Sequence, residues 1–462
     1  MDSFFNSIKE AASQFSKIKT PIRIISHLDT DGLSSASILI KTLTRLNKVF
    51  SLSIVKQLSP QVLNEFRNEE YENYVFLDLG SGHLKEINSV LKNRTIFILD
   101  HHVPQDYKTN FTQINPHLHK LDGNKEISGA GITYLFSKAI NPENKDLAYL
   151  AILGAIGDVQ EDKDGFTGLN KDILQDAVSS GLLEVKKGLR MFGSQTRPLY
   201  KVLQYSTDPY IPGITGYEDL AREFLNNLRI DPNKKLIHLS EEEIKNLVSA
   251  IIVQRMGSET DPEDVLGNIY ILNDKEEASP TRDLKEFSTL LNACGRLNRP
   301  SLAIGTCLND IKSYEKALEI SQKYKEEIIK SLNWFYKNKD SKSVIETPDL
   351  TIINAEDNIK DTIIGTMTSM ISKSNVYPPE TILLSLAHTL DNNTKISIRI
   401  SGFKANDVDL REVLSKITEK IGCPAGGHKF AAGSLIPQEK EQEFINIALE
   451  SFKKQEKTVI TT

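Results

Sequence analysis

Within the six residues HLDTDG, His27 to Gly32, stand three side chains that ligate cations or move protons: His27, Asp29 and Asp31. Three further clusters of the same kind follow: Asp78 in FLDLGSGH, Asp100-His101-His102 in FILDHHVPQ, and Asp158 in LGAIGDVQ. Each closes an apolar run. One aspartate at a strand end is ordinarily a turn or helix-capping residue. Four clusters in the same setting, in order, point to one shared rim. Carboxylates crowded there repel one another unless cations lie between them. Oxygen ligands suit Mg2+ and Mn2+, and added imidazoles tip the preference to Mn2+. The number of acids predicts two divalent cations with one carboxylate bridging them, a clamp suited to in-line displacement at phosphorus. Gly32 and the small residues Ser34, Ser35 and Ala36 let a helix start close by, with its positive end towards an anionic phosphate.

The elements that must position these groups alternate. PIRIIS, YVFLDLG and TIFILD read as short buried strands, and LSSASILIKTLTRL, AGITYLFSKAI and DLAYLAILGAIGD as helices. Such alternation predicts an α/β fold with a parallel sheet covered by helices on both faces. Ligands bind beyond the carboxyl ends of such strands, where the acids would converge.

Composition fits this reading. With 39% hydrophobic and 26% charged residues in 462, the chain is a folded protein of two or three domains rather than a disordered one. Its three cysteines, Cys294, Cys307 and Cys423, are scattered and form no zinc or disulfide pattern. A net charge of −6 argues against a globally basic nucleic-acid binder, though not against a local basic track. The N-terminus lacks a signal-peptide core and no apolar run spans a membrane, so a cytoplasmic protein without a membrane partner is expected.

The motifs HLDTDG, FLDLGSG, LDHHVP and GAIGD resemble, in order, those of the DHH phosphoesterase superfamily. PAGGHKFAAG, Pro424–Gly433, resembles the glycine-rich signature of the DHHA1 domain, and LLNACGRLNRPSLAIG, Leu290–Gly305, resembles a segment of RecJ nucleases. The resemblance covers the chain and is nearest to the archaeal RecJ-like group. That group includes a nuclease tied to the replicative helicase through GINS, and is related to a catalytically silent eukaryotic helicase subunit. It implies an N-terminal parallel-sheet DHH domain with flanking helices, a helical connector and a smaller α/β DHHA1 domain, with the active site in the cleft between them. By position, His27 and Asp29 would bind one ion, Asp31, His101 and Asp158 the other, and Asp78 both. Asp100 would orient the neighbouring imidazole, and His102 would face the scissile phosphate. A bridging water acidified by two cations would be the nucleophile.

The resemblance also supplies the grip on substrate. Gly426, Gly427, His428 and Gly433 would offer backbone N–H groups to a phosphate. Arg399, on the alternating run ISIRISG, would point into the same cleft. Asn292 and Arg296 would contact the nucleic-acid backbone, Arg296 in bidentate fashion. KKGLRMFGSQTRPLYK has no acid from Lys186 to Lys201, so it reads as a basic track holding Arg197, with Tyr200 and Tyr205 as stacking platforms. DKDG at Asp162–Gly165 lacks calcium-loop spacing and reads as a turn, and His117 and His119 read as loop residues without a metal.

The expected domains are 1–185 (DHH), 186–340 (connector with the basic stretch, NACGR and a long helix), 341–455 (DHHA1) and a mobile tail at 456–462. The expected function is a metal-dependent exonuclease of single-stranded DNA or RNA in replication or repair, of 5′ to 3′ polarity by resemblance, with GINS and the MCM helicase as candidate partners. Two rival readings are a phosphodiesterase of short oligonucleotides or cyclic dinucleotides, and a replisome scaffold. The connector and basic stretch weigh against the first, and the full set of motif acids against the second as sole role.

Overall fold

Strand β1 (Ile22–His27) sends Ile22 and Ile24 to one face and Ile25 to the other, and both faces are buried. The same alternation holds in β3 (Asn73–Leu77), where Val75 and Leu77 oppose Tyr74 and Phe76. In β4 (Thr95–Leu99), Phe97 and Leu99 oppose Ile96 and Ile98. Strands apolar on both faces belong in a parallel sheet sandwiched between helices. With β2 (Phe50–Val55) and β5 (Thr112–Ile114) they form a five-stranded sheet, order β2-β1-β3-β4-β5, parallel throughout.

The computed structural model describes residues 1–206, 209–256, 261–374, 376–402 and 408–453. The chain divides into two compact units, Met1–Ser321 and Gln322–Thr462. In the first, helices α1 (Asp2–Ser16), α2 (Thr30–Arg45), α5 (Gly129–Ile140) and α6 (Ala148–Gly157) cover one face of the sheet. Phe15 of α1 sets its ring edge-on against Phe97 and Phe136. Helices α3 (Pro60–Phe66) and α4 (Leu84–Val90) cover the other face through Leu63, Phe66, Leu84 and Ile87. The strand order reverses direction between β1 and β3, and a doubly wound sheet opens a crevice at such a point, at its carboxyl edge.

After α7 (Gly168–Ser179), strand β6 (Leu183–Leu189) pairs antiparallel with β7 (Leu266–Leu272), from Leu183↔Leu272 to Leu189↔Leu266. Between them lie α8 (Leu199–Gln204), α9 (Glu218–Asn227) and α10 (Glu241–Arg255), whose core of Leu199, Leu203, Leu225, Leu247 and Ile251 is separate from that of the sheet. Helices α11 (Leu284–Arg296) and α12 (Pro300–Cys307) return to the first core through Phe287, Leu291 and Ile304, before the long α13 (Ile311–Asn338).

The second unit holds β8 (Val344–Glu346), β9 (Leu350–Asn354), α14 (Asp361–Ser372), β10 (Ile382–His388), β11 (Asn393–Ile400), α15 (Leu410–Thr418), β12 (Ala425–His428), β13 (Ala431–Pro437) and α16 (Glu441–Lys453). Its six strands run in the order β12-β13-β11-β10-β9-β8, and only β9 and β10 are parallel neighbours. Helices α15 and α16 pack Leu410, Leu414 and Phe444 on the face that carries Leu384, Ile396 and Ile398.

Residues 425–428 of the glycine-rich signature form strand β12, paired Gly426↔Gly433 and Gly427↔Ala432. The glycine requirement at Gly427 arises inside this hairpin: its φ is +123°, and a Cβ would sit 2.4 Å from the Ala431 carbonyl oxygen. The side chain of His428 and the tail expected at 456–462 lie outside the described residues.

Candidate metal centre

The rim of the first sheet gathers its polar residues where the strands end. His27 is the last residue of β1, and Asp29 caps α2 by accepting a hydrogen bond from Gly32 N–H at 3.1 Å. The other oxygen of Asp29 lies 2.9 Å from His27 Nδ1. Asp31, in the first turn of α2, is fully buried. Its carboxylate accepts from Gly129 N–H (2.6 Å) and Ala130 N–H (2.9 Å), the amino end of α5. Charge-assisted bonds at a helix N-terminus hold this acid in place.

Asp78 follows β3 with a left-handed backbone (φ +57°), its N–H donating to Leu99 O at 2.9 Å. Its two carboxylate oxygens are buried, and among the described residues no hydrogen bond satisfies either. Facing them are imidazole nitrogens: His27 Nδ1 at 3.4 Å, His101 Nε2 at 3.3 Å and His102 Nδ1 at 3.9 Å. His101 Nε2 is also 3.0 Å from Asp158, the C-cap of α6, and 3.8 Å from Asp31.

Ligand atoms therefore fall into groups within 4.8 Å: His27, Asp29 and Asp78; Asp31, Asp78, His101 and Asp158; and Asp78, His101 and His102. Asp78 is common to all three. All eight rim residues singled out from the sequence are thus brought together, Asp100 through its bond to His102.

Electrostatics tests whether these residues suit a cation. Burial pushes the Asp31 carboxyl well above the usual carboxylate range, and the charges of Asp78 and Asp158 push the same way, against His101 and the Ala130 amide. For His27, burial disfavours the charged form, but Asp29 and Asp78 outweigh it and raise the imidazole well above its ordinary value. His101 behaves alike under Asp158 and Asp78. The cluster thus draws positive charge wherever it is available. Orphaned buried oxygens and a set of carboxylates and imidazoles match the donors preferred by Mn2+ and Mg2+.

One role expected from the sequence is redistributed. Asp100 does not orient His101: its Oδ1 accepts from His102 Nδ1 at 2.7 Å and from His102 N–H at 3.2 Å, while Oδ2 accepts from Ser81 N–H at 2.9 Å. Burial opposes ionisation of Asp100, yet His102, His101 and the Ser81 amide hold its pKa below the usual range. His101 is instead fixed by Nδ1–H donating to the Gly123 carbonyl at 2.6 Å, which leaves Nε2 facing the carboxylates. Gln160 Nε2 bonds the same carbonyl at 2.9 Å, and His117 Nε2 donates to His101 O at 3.0 Å. No local pattern marks Gly123, whereas Gln160 stands two residues past Asp158 inside a motif already singled out.

Helix α11 braces the loop between β1 and α2. Asn292 Oδ1 accepts from Thr30 N–H at 3.1 Å, and Thr30 Oγ1 donates to Ser288 O at 2.8 Å. Arg296 ends the same helix, half-buried. The basic stretch is less basic in space than in sequence, because acids outside it fold back onto it. Lys186 pairs with Glu184 at 3.1 Å and Lys201 with Glu218 at 2.7 Å. The guanidinium of Arg197 lies 4.6 Å from the Phe192 ring and 5.7 Å from that of Tyr205. Burial lowers the pKa of Arg197, against the pull of Glu286, whose carboxylate accepts from Gln195 N–H. Tyr200 is covered by Arg222, 3.5 Å from its ring centre, while Tyr205 stays half exposed. In the second unit, Arg399 Nε donates to Ser369 Oγ and Nη1 to Ile398 O, both at 2.7 Å. Gly426 and Gly433 face each other across the β12–β13 hairpin. Among the described residues no helix is long and apolar enough to cross a membrane.

Residues 21–155 match the DHH family N-terminal domain, 191–267 the DHH-CID domain and 349–454 the DHHA1 domain. The uncharacterized protein MJ0831 of Methanocaldococcus jannaschii is 31% identical over 439 residues, covering 92% of this chain and 91% of that protein. Among solved structures, RecJ of Thermus thermophilus in complex with Mn2+ superposes with a TM-score of 0.59 at 15% identity, over 96% of this chain. The chain spans about half of that RecJ, 54% of its length. CDC45 of Entamoeba histolytica superposes with a TM-score of 0.63 at 10% identity, over 98% of each chain. With three domains matched in order along one chain and a full-length relative, the protein belongs to the DHH/DHHA1 phosphoesterase family, and its fold is RecJ-like.

Proposed function

We propose that this chain is a metal-dependent exonuclease that hydrolyses the phosphodiester bonds of single-stranded DNA, and of RNA, from an end, with 5′ to 3′ polarity. The observation that carries the reading is the shared position of Asp78, whose buried oxygens belong both to the group with His27 and Asp29 and to the group with Asp31, His101 and Asp158. One carboxylate common to two donor groups suits two divalent cations, with Mn2+ preferred over Mg2+. Such ions, when bound, neutralise phosphate charge and acidify water.

The chain's own residues supply the rest. Asp31 is anchored to the α5 amides and His101 to the Gly123 carbonyl, so both donors are fixed before substrate arrives. Asp100 holds His102 with Nδ1–H towards itself, which fixes the ring whose proposed role is to face the scissile phosphate. The charge of Asp100 also raises the pKa of that imidazole, against burial and the neighbouring His101. Asn292, Arg296, Arg197 and Arg399, with the hairpin of Gly426, Gly427, His428 and Gly433, are the proposed backbone grip. GINS and the MCM helicase are the proposed protein partners. The complete set of motif acids favours catalysis over a purely scaffolding role.

The test uses single-stranded DNA labelled at the 5′ or the 3′ end, with Mn2+, comparing the parent with Asp78→Ala. A ladder growing from one end, absent with the variant, is expected and fixes the polarity. No cleavage by the parent in Mn2+ or Mg2+ would overturn the exonuclease reading, and activity on dinucleotides alone would replace it with the short-substrate one.

A further inference from the structure

Helix α6 ends beside the ligand groups in a turn whose geometry conflicts with its sequence. Val159 N–H donates to Ile156 O at 3.1 Å and Gln160 N–H to Ala155 O at 3.0 Å, with Asp158 as the C-cap. This pair of bonds closes a helix through one residue in the left-handed region, a place ordinarily taken by glycine or asparagine. Here the residue is Val159, with φ of +56°. A branched Cβ is a steric outlier in that region. The fold gains nothing visible in return, since Val159 is 81% exposed.

The turn cannot relax, because both neighbours are held. Asp158 lies 3.0 Å from His101 Nε2. Gln160 is buried, with Nε2 on the Gly123 carbonyl at 2.9 Å and Oε1 accepting from Asn170 Nδ2 at 2.7 Å. That carbonyl also accepts from His101 Nδ1. The position of Val159 is therefore locked to the ligand that its neighbour contacts.

We propose that Val159 is a substrate-contacting residue, packing its isopropyl group against the nucleoside next to the phosphate held at the metal centre. This rests on the phosphodiesterase reading above. Strain kept where the fold does not need it marks a functional position. The rim itself offers charge and imidazole, which suit a phosphate but give no purchase on the sugar and base beside it. An exposed apolar group one residue from a ligand supplies that purchase. Because it makes no hydrogen bond, it tolerates any base, as an exonuclease that advances along a strand requires.

Steady-state kinetics on a single-stranded oligonucleotide, with thermal melting, tests this with Val159→Gly, Val159→Asn and Val159→Leu. Glycine and asparagine accept the left-handed backbone, so both variants are expected to melt at or above the parent. Both should raise KM about tenfold, the effect of losing roughly half a buried valine's contact, with kcat little changed. Val159→Leu, which keeps an apolar group, should retain the parent's KM. Parent-like KM in the glycine and asparagine variants would overturn the contact, and lower melting in both would overturn the strain argument. A parent that cleaves no phosphodiester at all would instead overturn the reading on which the inference rests.

Discussion

Replacing Gly295 by alanine should damage a site that the residue never touches. Within a helix such as α11, a glycine-to-alanine change ordinarily stabilises by about 0.5–1 kcal/mol. Here the new Cβ would stand 1.9 Å from the carbonyl oxygen of Leu28 and 3.0 Å from its carbonyl carbon. Carbon and carbonyl oxygen settle no closer than about 3.3 Å, so α11 and Leu28 must part by roughly 1.4 Å. The loop is tied to the same helix through Thr30, by its bonds to Asn292 and Ser288, so parting stretches both. Overpacking of about 1–3 kcal/mol and two weakened hydrogen bonds at about 1 kcal/mol each exceed the helix gain. The net expected loss is about 2–4 kcal/mol. Because Leu28 lies between His27 and Asp29, the displacement reaches the donors directly, and a misplacement of about 1 Å costs on the order of 100-fold in rate. Thermal denaturation and Mn2+ titration calorimetry would measure both effects, with Gly82→Ala as control, since a Cβ at Gly82 meets nothing within 4 Å. A Gly295→Ala protein that melts at or above the parent and binds Mn2+ equally well would refute the reasoning.

Two other perturbations follow from the same geometry. Mn2+ at a hundredfold excess over Kd should stabilise the parent by about 2.7 kcal/mol, with the gain abolished by chelator and mostly absent in Asp78→Ala; equal shifts in differential scanning fluorimetry would contradict the shared role of Asp78. Away from the rim, burial first and then the charge of Glu286 push the Asp283 carboxyl up from 3.8 to about 7, against the Lys285 and Glu286 amides. The folded chain therefore keeps a proton that the unfolded chain releases, so this group's stabilisation is full at low pH and is lost between about pH 4 and 7. Asp283→Asn, which can still cap α11, should remove up to about 4 kcal/mol of that slope, and urea denaturation at pH 5 and pH 8 that left the slope unchanged would contradict it.

The rim was readable in the sequence because each donor stands beside a local signal, an apolar run that ends in an acid. HLDTDG carries both a strand end and a helix cap, so one short window reports two facts. What went unread depends on residues far apart in the chain. The carbonyl of Gly123 reaches His101 across 22 positions, and a backbone oxygen has no signature in residue type. Glu218 and Glu286 quench the basic stretch from beyond any window drawn around Lys186–Lys201. Strand β2 escaped notice because it lies at the sheet's edge, where FSLSIV alternates serine with apolar residues and is only half buried. Gly426 and Gly427 are poor strand formers by composition, yet pairing with β13 overrides that tendency.

The antiparallel pair β6–β7 has a consequence for how such a protein changes over time. The polypeptide departs at Leu189 and returns at Leu266, two residues that face each other in the ladder, and the intervening stretch builds a hydrophobic centre of its own. In main-chain terms it is a cassette plugged into a single socket. A cassette with adjacent ends can be lengthened, shortened or exchanged while β1, β3 and β4, which lead into His27, Asp78 and His101, stay where they are. Lineages that share this rim are thereby free to diversify what surrounds it, one module at a time.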